Sequence, residues 1–128
     1  MAPHLPLDYP IDVNWHQLID ERNCEMDRVI AAVLQQDPSK LEAVVDGIER
    51  RLADPEFSIH SKDSLREWLD LIRNRGLKGV IDVLADRSEE AMRLRQSSPF
   101  AILMPQDERL KILRRYEALR PRAHPSGV

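Results

Sequence analysis

The sequence predicts an all-α fold, a compact bundle of about five to six helices, and three observations predict it. Apolar residues recur at helical spacing along most of the 128 residues, only four glycines serve the tight turns that hairpins need, and no segment alternates apolar and polar residues for long. With 42% hydrophobic and 32% charged residues the composition is that of a globular domain, and folding a chain of this length removes roughly two thirds of its unfolded surface from water. Aromatic residues are only 5%, so the core is expected to be built from Leu, Ile, Val, Ala and Met. The chain divides into an extended N-terminal segment (1–13), a single helical domain (14–120) and a flexible tail (121–128).

The elements follow in order. Pro3, Pro6 and Pro10 keep a helix from running through the first segment. Asn14, with Gln17 three positions on, reads as the N-cap of a helix to about Gln36, whose apolar face carries Trp15, Leu18, Ile19, Met26, Val29, Ile30 and Val33. Asp37-Pro38 ends that helix and starts the next, with Leu41, Val44, Val45, Ile48 and Leu52 as its stripe, until Asp54-Pro55 stops it. In the loop 54–61, Phe57 and Ile59 are expected to pin to the core, and Ser61 to cap a helix from Lys62 to Arg75 with Leu65, Trp68, Leu69 and Ile72 inward. Gly76 stands where a left-handed residue ends a helix. A short helix from Leu77 to Leu84 turns Leu77, Val80, Ile81 and Leu84 inward, and Asp86 with Glu89 predicts a capping box for a helix reaching about Gln96. Pro99 disfavours helix at Ser98, so Phe100, Ile102 and Leu103 are expected to dock on the bundle. Pro105 then opens a last helix with Leu110, Leu113, Tyr116 and Leu119 inward.

Catalytic chemistry finds little support. His4, His16, His60 and His124 have no metal-ligand spacing, and the isolated glycines form no phosphate-cradling loop, so neither a metal nor a cofactor is expected. Cys24 is the sole cysteine, which excludes an intramolecular disulfide and a thiolate zinc cage and is compatible with a reducing cytoplasm. His16 lies about 12 Å from it along a helix axis, too far for a nucleophile and base. Asp63 and Glu67, at i and i+4, are the one carboxylate pair that an enzyme reading has to offer, and such neighbours more often lie on an open surface. No catalytic residue is therefore assigned, and the chain is expected not to be an enzyme. It also shows no signal sequence and no run of 18 apolar residues, which predicts a cytoplasmic protein with no membrane partner.

The net charge of −3 hides a gradient: residues 1–60 carry −7, residues 61–106 +1 and residues 107–128 +3. That pattern predicts either two partner surfaces or two solvated faces. The helices at 77–96 have the outline of a helix-turn-helix, so Arg87 and Arg93, with Arg114 and Arg115 of the basic last helix, are the candidates for contact with promoter DNA. Glu89 and Glu90 in the first turn of the second of those helices argue against it, because they would meet phosphates. Arg95, Gln96, Ser97 and Arg109 are polar residues gathered near one turn with the least evident structural role. They are the candidate partner-binding surface, with exposed Arg95, Gln96 and Arg109 surrounding a buried Phe100.

That turn also carries a resemblance. LRQSSPFA at 94–101, followed by Pro105, Glu108 and Arg109, resembles a family of small bacterial proteins that share an Arg-Gln-Ser/Asn-Ser-Pro-Phe-Ala run and a Ser/Thr-Pro helix start bearing Glu and Arg. HQLID at 16–20 and LREWLDLI at 65–72 are similar too, so the resemblance spans most of the chain, although only LRQSSPFA is specific. Met104 departs from the family pattern, which places Ser or Thr there. Members are often encoded beside nucleotidyltransferase-type or other toxin genes. The resemblance thus implies an antitoxin-like role, binding and neutralising a toxin from an adjacent gene, with the acidic first half facing a basic cleft on that partner.

Overall fold

The computed structural model describes residues 11–120, with side chains from Trp15 onward. Among these residues there are five α-helices, one 3-10 turn and no strand: α1 (Ile11–Gln36), α2 (Lys40–Ala53), α3 (Ile59–Ala85), α4 (Glu89–Arg95), the 3-10 turn Ala101–Leu103 and α5 (Gln106–Leu119). The all-α bundle expected from the sequence is the fold observed. Residues 1–10 and the tail at 121–128 lie outside the described residues, while residues 11–13 belong to α1 rather than to an extended segment. Asn14 is accordingly inside the first helix and is not its cap.

α3 is the central element, packed against α1, α2 and α4, while α1 also holds α5 and the 3-10 turn. Its side chains Leu65, Trp68, Leu69 and Ile72 meet Val44 and Ile48 of α2 and Ile30 and Leu34 of α1 in one core. Leu34 is fully buried where the sequence had favoured Val33, which is half-buried. Trp68 and Phe100, both fully buried, stack edge to face with ring centroids 5.2 Å apart, and the Trp68 indole N–H donates to the Leu94 carbonyl at 3.0 Å. A buried indole thus satisfies its one donor on the last turn of α4, which ties the LRQSSPFA run to the centre of the fold.

Several boundaries shift for local reasons. Asp37 accepts from the Ser39 N–H across Pro38, so a tight turn precedes α2 instead of helix at Pro38 itself. α3 begins at Ile59 because Ser58, not Ser61, is the cap, its hydroxyl accepting from the Ser61 N–H. Ile59 is consequently a first-turn residue, 73% exposed, and only Phe57 packs on the core. Ser88 caps α4 by accepting from the Ala91 N–H, while Asp86 accepts from the Ser88 N–H, so the expected Asp86–Glu89 capping box is not formed. The Ser88 backbone bond holds the Asp86 carboxyl below its usual range. Pro105, not Met104, occupies the cap position of α5, and Met104 packs against the core. Ile112 is the buried residue of α5, whereas Leu110 and Leu119 face solvent, as does Ile102 before it. The helix therefore lies rotated from the expected stripe.

The 77–84 helix is observed as a second limb of α3, continuous to Ala85 across a kink at Gly76. Gly76 has φ 65° and ψ −161°, a conformation open to glycine and strained for any residue with a Cβ. A Cβ built there would meet nothing within 4 Å, so the barrier is purely torsional. Gly76→Ala is expected to destabilise the domain by about 1–3 kcal/mol in urea unfolding. A stability equal to the parent's would show that the kink relaxes freely.

Candidate partner-binding cleft

α1 and the segment from α4 to α5 leave between them an open cleft of about 450 Å³. Its apolar lining includes Ile30 and Met26 of α1, Met92 of α4 and Met104 before α5. All three methionines among the described residues therefore sit on this one surface. Methionine side chains are flexible and polarizable, and they suit a surface that must adapt to an incoming shape. Polar groups rim it: Asp20 and Asn23 on the α1 side, Gln96 and Ser98 at the turn, and Arg109 on α5. Cys24, half-buried, lies in the same wall.

Three of the four sequence-predicted partner residues, Arg95, Gln96 and Arg109, come together here, but they do not play equal parts. Gln96 and Arg109 are exposed and make no side-chain hydrogen bond or ion pair among the described residues. Arg95 is not the exposed group that was expected. Its side chain is 9% exposed, its Nε lies 3.1 Å from the Asp27 carboxylate, and its Nη1 donates to the Val83 carbonyl at 2.7 Å and to the Asp86 carbonyl. One guanidinium thus closes the C-terminal end of α3 onto α1 and α4, filling several of its donor positions with structural acceptors. Ser97 lies outside this cleft; it is half-buried and its hydroxyl donates to the Leu94 carbonyl.

Asp27, 13% exposed, titrates far above its ordinary value of 3.8, at about 6, because burial disfavours the carboxylate more strongly than Arg95 supports it. The sequence did not single out Asp27. The available signal was its phase, since Asp27, Ile30 and Leu34 stand at i, i+3 and i+7, and the last two are buried.

The charge gradient has an internal explanation. Glu21 pairs with Arg87, Glu25 with Arg115, Asp27 with Arg95 and Glu49 with Arg73, each joining an acid of the first half to a base of the second. Four of the seven excess negative charges of residues 1–60 are thus paired within the fold, which weakens the charge pattern as an argument for a basic partner. The same pairs bear on the four DNA candidates. Arg87 is held by Glu21, Arg93 by Glu67 and Glu90, and Arg115 by Glu25, so a phosphate would compete with a carboxylate at each. Arg114 alone of the four is exposed without an ion pair among the described residues, and α4 has only seven residues. The Asp63 and Glu67 carboxylates are likewise engaged, by Arg66 and Arg93, and neither lines the cleft.

Among the described residues no group of three or more His, Cys, Asp or Glu side chains is placed to hold a metal ion. No described helix is long and apolar enough to cross a membrane. Comparison with protein-family models, with curated proteins and with solved structures gives no match to this chain.

Proposed function

We propose that the protein is a non-enzymatic, antitoxin-like interaction protein of the cytoplasm that binds a partner enzyme encoded by an adjacent gene and restrains it. The observation that carries the reading is the cleft: a methionine-rich floor beside Gln96 and Arg109, two exposed polar residues with no partner inside the described fold. Ile102, 62% exposed in the 3-10 turn that brings Ala101 to the cleft, adds apolar surface next to it. An arginine next to adaptable apolar side chains is the composition of an interface anchor. The LRQSSPFA resemblance falls on the same turn and supports the kind of partner. The occupant that fits is a segment of the partner presenting an apolar side chain to Met26, Met92 and Met104 and a carboxylate to Arg109.

Coexpression with the neighbouring gene product tests this. A complex that co-elutes in size-exclusion chromatography is expected, and Arg109→Glu should weaken it by roughly tenfold or more while leaving the melting temperature unchanged, since it reverses one exposed interface charge. Arg114→Glu, away from the cleft, should leave the complex intact. A neighbour that forms no complex and is harmless when expressed alone removes the proposal.

A further inference from the structure

A second cleft, of about 400 Å³, lies between the last turn of α2, the first turns of α3 and the Ser97–Pro99 turn, and shares Ser98 with the first. Its polar lining is one guanidinium, Arg51, one imidazole, His60, and the hydroxyls of Ser61, Ser64, Ser97 and Ser98. Among the described residues no carboxylate lines it, although acids outnumber Lys and Arg by 22 to 19 in this chain. Arg51 is half-buried yet makes no ion pair or side-chain hydrogen bond among the described residues. Arginines removed from solvent normally carry an acidic or carbonyl partner, as Arg95 does here.

The hydroxyls can be accounted for one by one. Ser97 already donates to the Leu94 carbonyl. Ser98 accepts from the Phe100 N–H, which leaves its own proton free to donate. Ser61 and half-buried Ser64 make no side-chain hydrogen bond among the described residues. The cleft thus presents a guanidinium fork, an imidazole and three hydroxyl donors with no opposing acid among the described residues, at the positive end of a long helix. Phe57, Leu65 and Pro99 complete it with an apolar wall.

We infer that this cleft binds the phosphate group of a small phosphomonoester. Arg51 supplies the charge and a two-pronged hydrogen bond, Ser61, Ser64 and Ser98 donate to the remaining phosphate oxygens, and the organic part lies against Phe57 and Pro99. The volume is within the range of small-ligand sites. The inference does not depend on the partner-binding reading, since Arg51, Ser61 and Ser64 take no part in the methionine-lined cleft, and Ser98 is the one described residue that both linings share.

Titration of the full chain with adenosine monophosphate, O-phosphoserine and inorganic phosphate, followed by calorimetry and by amide chemical shifts, is the test. Saturable binding is expected, with shifts centred on Ser61, Ser64, Ser97 and Ser98. Arg51→Gln should weaken it by about tenfold or more, as expected for losing a hydrogen-bonded charge. Ser64→Ala should weaken it less, and Arg114→Gln not at all. Monoesters that bind more tightly than inorganic phosphate identify an organic phosphate as the ligand, whereas equal affinities identify the free ion. Binding that fails to saturate at millimolar concentration, shifts centred elsewhere, or full affinity in Arg51→Gln overturns the inference. Should Arg51→Gln not fold, Ser64→Ala with parental affinity has the same force.

Discussion

Replacing Phe100 by alanine is expected to cost about 3–5 kcal/mol, the range for removing a fully buried aromatic ring from a packed core. Phe100 has no exposed surface, meets the Trp68 ring edge to face at 5.2 Å, and is followed by a 3-10 turn in which the Leu103 N–H donates to the Phe100 carbonyl. The backbone before it is fixed by Pro99 and by the Ser98 hydroxyl accepting from the Phe100 N–H. Collapse of the surroundings into the vacated space is therefore restricted, which places the cost high in the range. Trp68 also loses its ring partner while its indole stays bonded to the Leu94 carbonyl. Such a loss is a large part of the stability of a domain this size, so Phe100→Leu, which retains most of the volume, serves as the milder companion. Urea melts that place Phe100→Ala at the parent's midpoint would mean that Phe100 does not anchor the turn.

Phe100 was legible in the sequence because an aromatic residue between two prolines has one economical place to go. The helices were legible for a related reason: long apolar periodicities in α2 and α3 are set by burial against several neighbours at once, and Leu65, Trp68, Leu69 and Ile72 lie where their spacing puts them. Caps were less legible where candidates compete. Ser58 and Ser61 are both serines able to close the same turn, as Ser88 competes with Asp86, and backbone geometry rather than residue type decides between them. α5 was misread because Leu110, Ile112, Leu113 and Tyr116 offer two stripes, and which one is buried depends on how the helix meets α1, a tertiary fact. The site followed the same division. Gln96 and Arg109 are exposed polar residues, as their sequence context suggested, whereas Arg95 shares the phase of buried Ala91 as its i+4 neighbour. A long cationic side chain in that position reads as surface unless its partner is known, and the partner, Asp27, is 68 residues away in sequence.

Arg95→Met is accordingly expected to destabilise the domain by roughly 3 kcal/mol at pH 7, the order of cost for breaking a mostly buried ion pair from one side. An exposed arginine would contribute almost nothing. The variant strips the carbonyls of Val83 and Asp86 of their side-chain donor and leaves the Asp27 carboxylate, 13% exposed, without a counter-charge. The pH dependence separates these two effects. Asp27 takes up its proton at about 6 in the folded chain against an ordinary 3.8, so the folded state binds that proton more tightly than the unfolded one. The group's contribution to stability therefore falls as pH rises from about 4 to about 6, and its penalty is complete above that window. Without Arg95 the carboxylate loses its one attractive partner among the described residues and its pKa rises further, so the penalty keeps growing above pH 6. The deficit of Arg95→Met against the parent should thus be larger at pH 7 than at pH 5, where a proton can neutralise Asp27. Adding Asp27→Asn to Arg95→Met should recover part of the loss at pH 7 and flatten its pH dependence; the deficit that remains belongs to the two carbonyls. Denaturation of the parent, the single variant and the double variant at both pH values measures each of these quantities. A deficit that is the same at pH 5 and pH 7 would assign the effect to packing and carbonyl bonding alone. A deficit below about 0.5 kcal/mol, the usual bound for a surface substitution, would return Arg95 to the solvent-facing rim of the cleft.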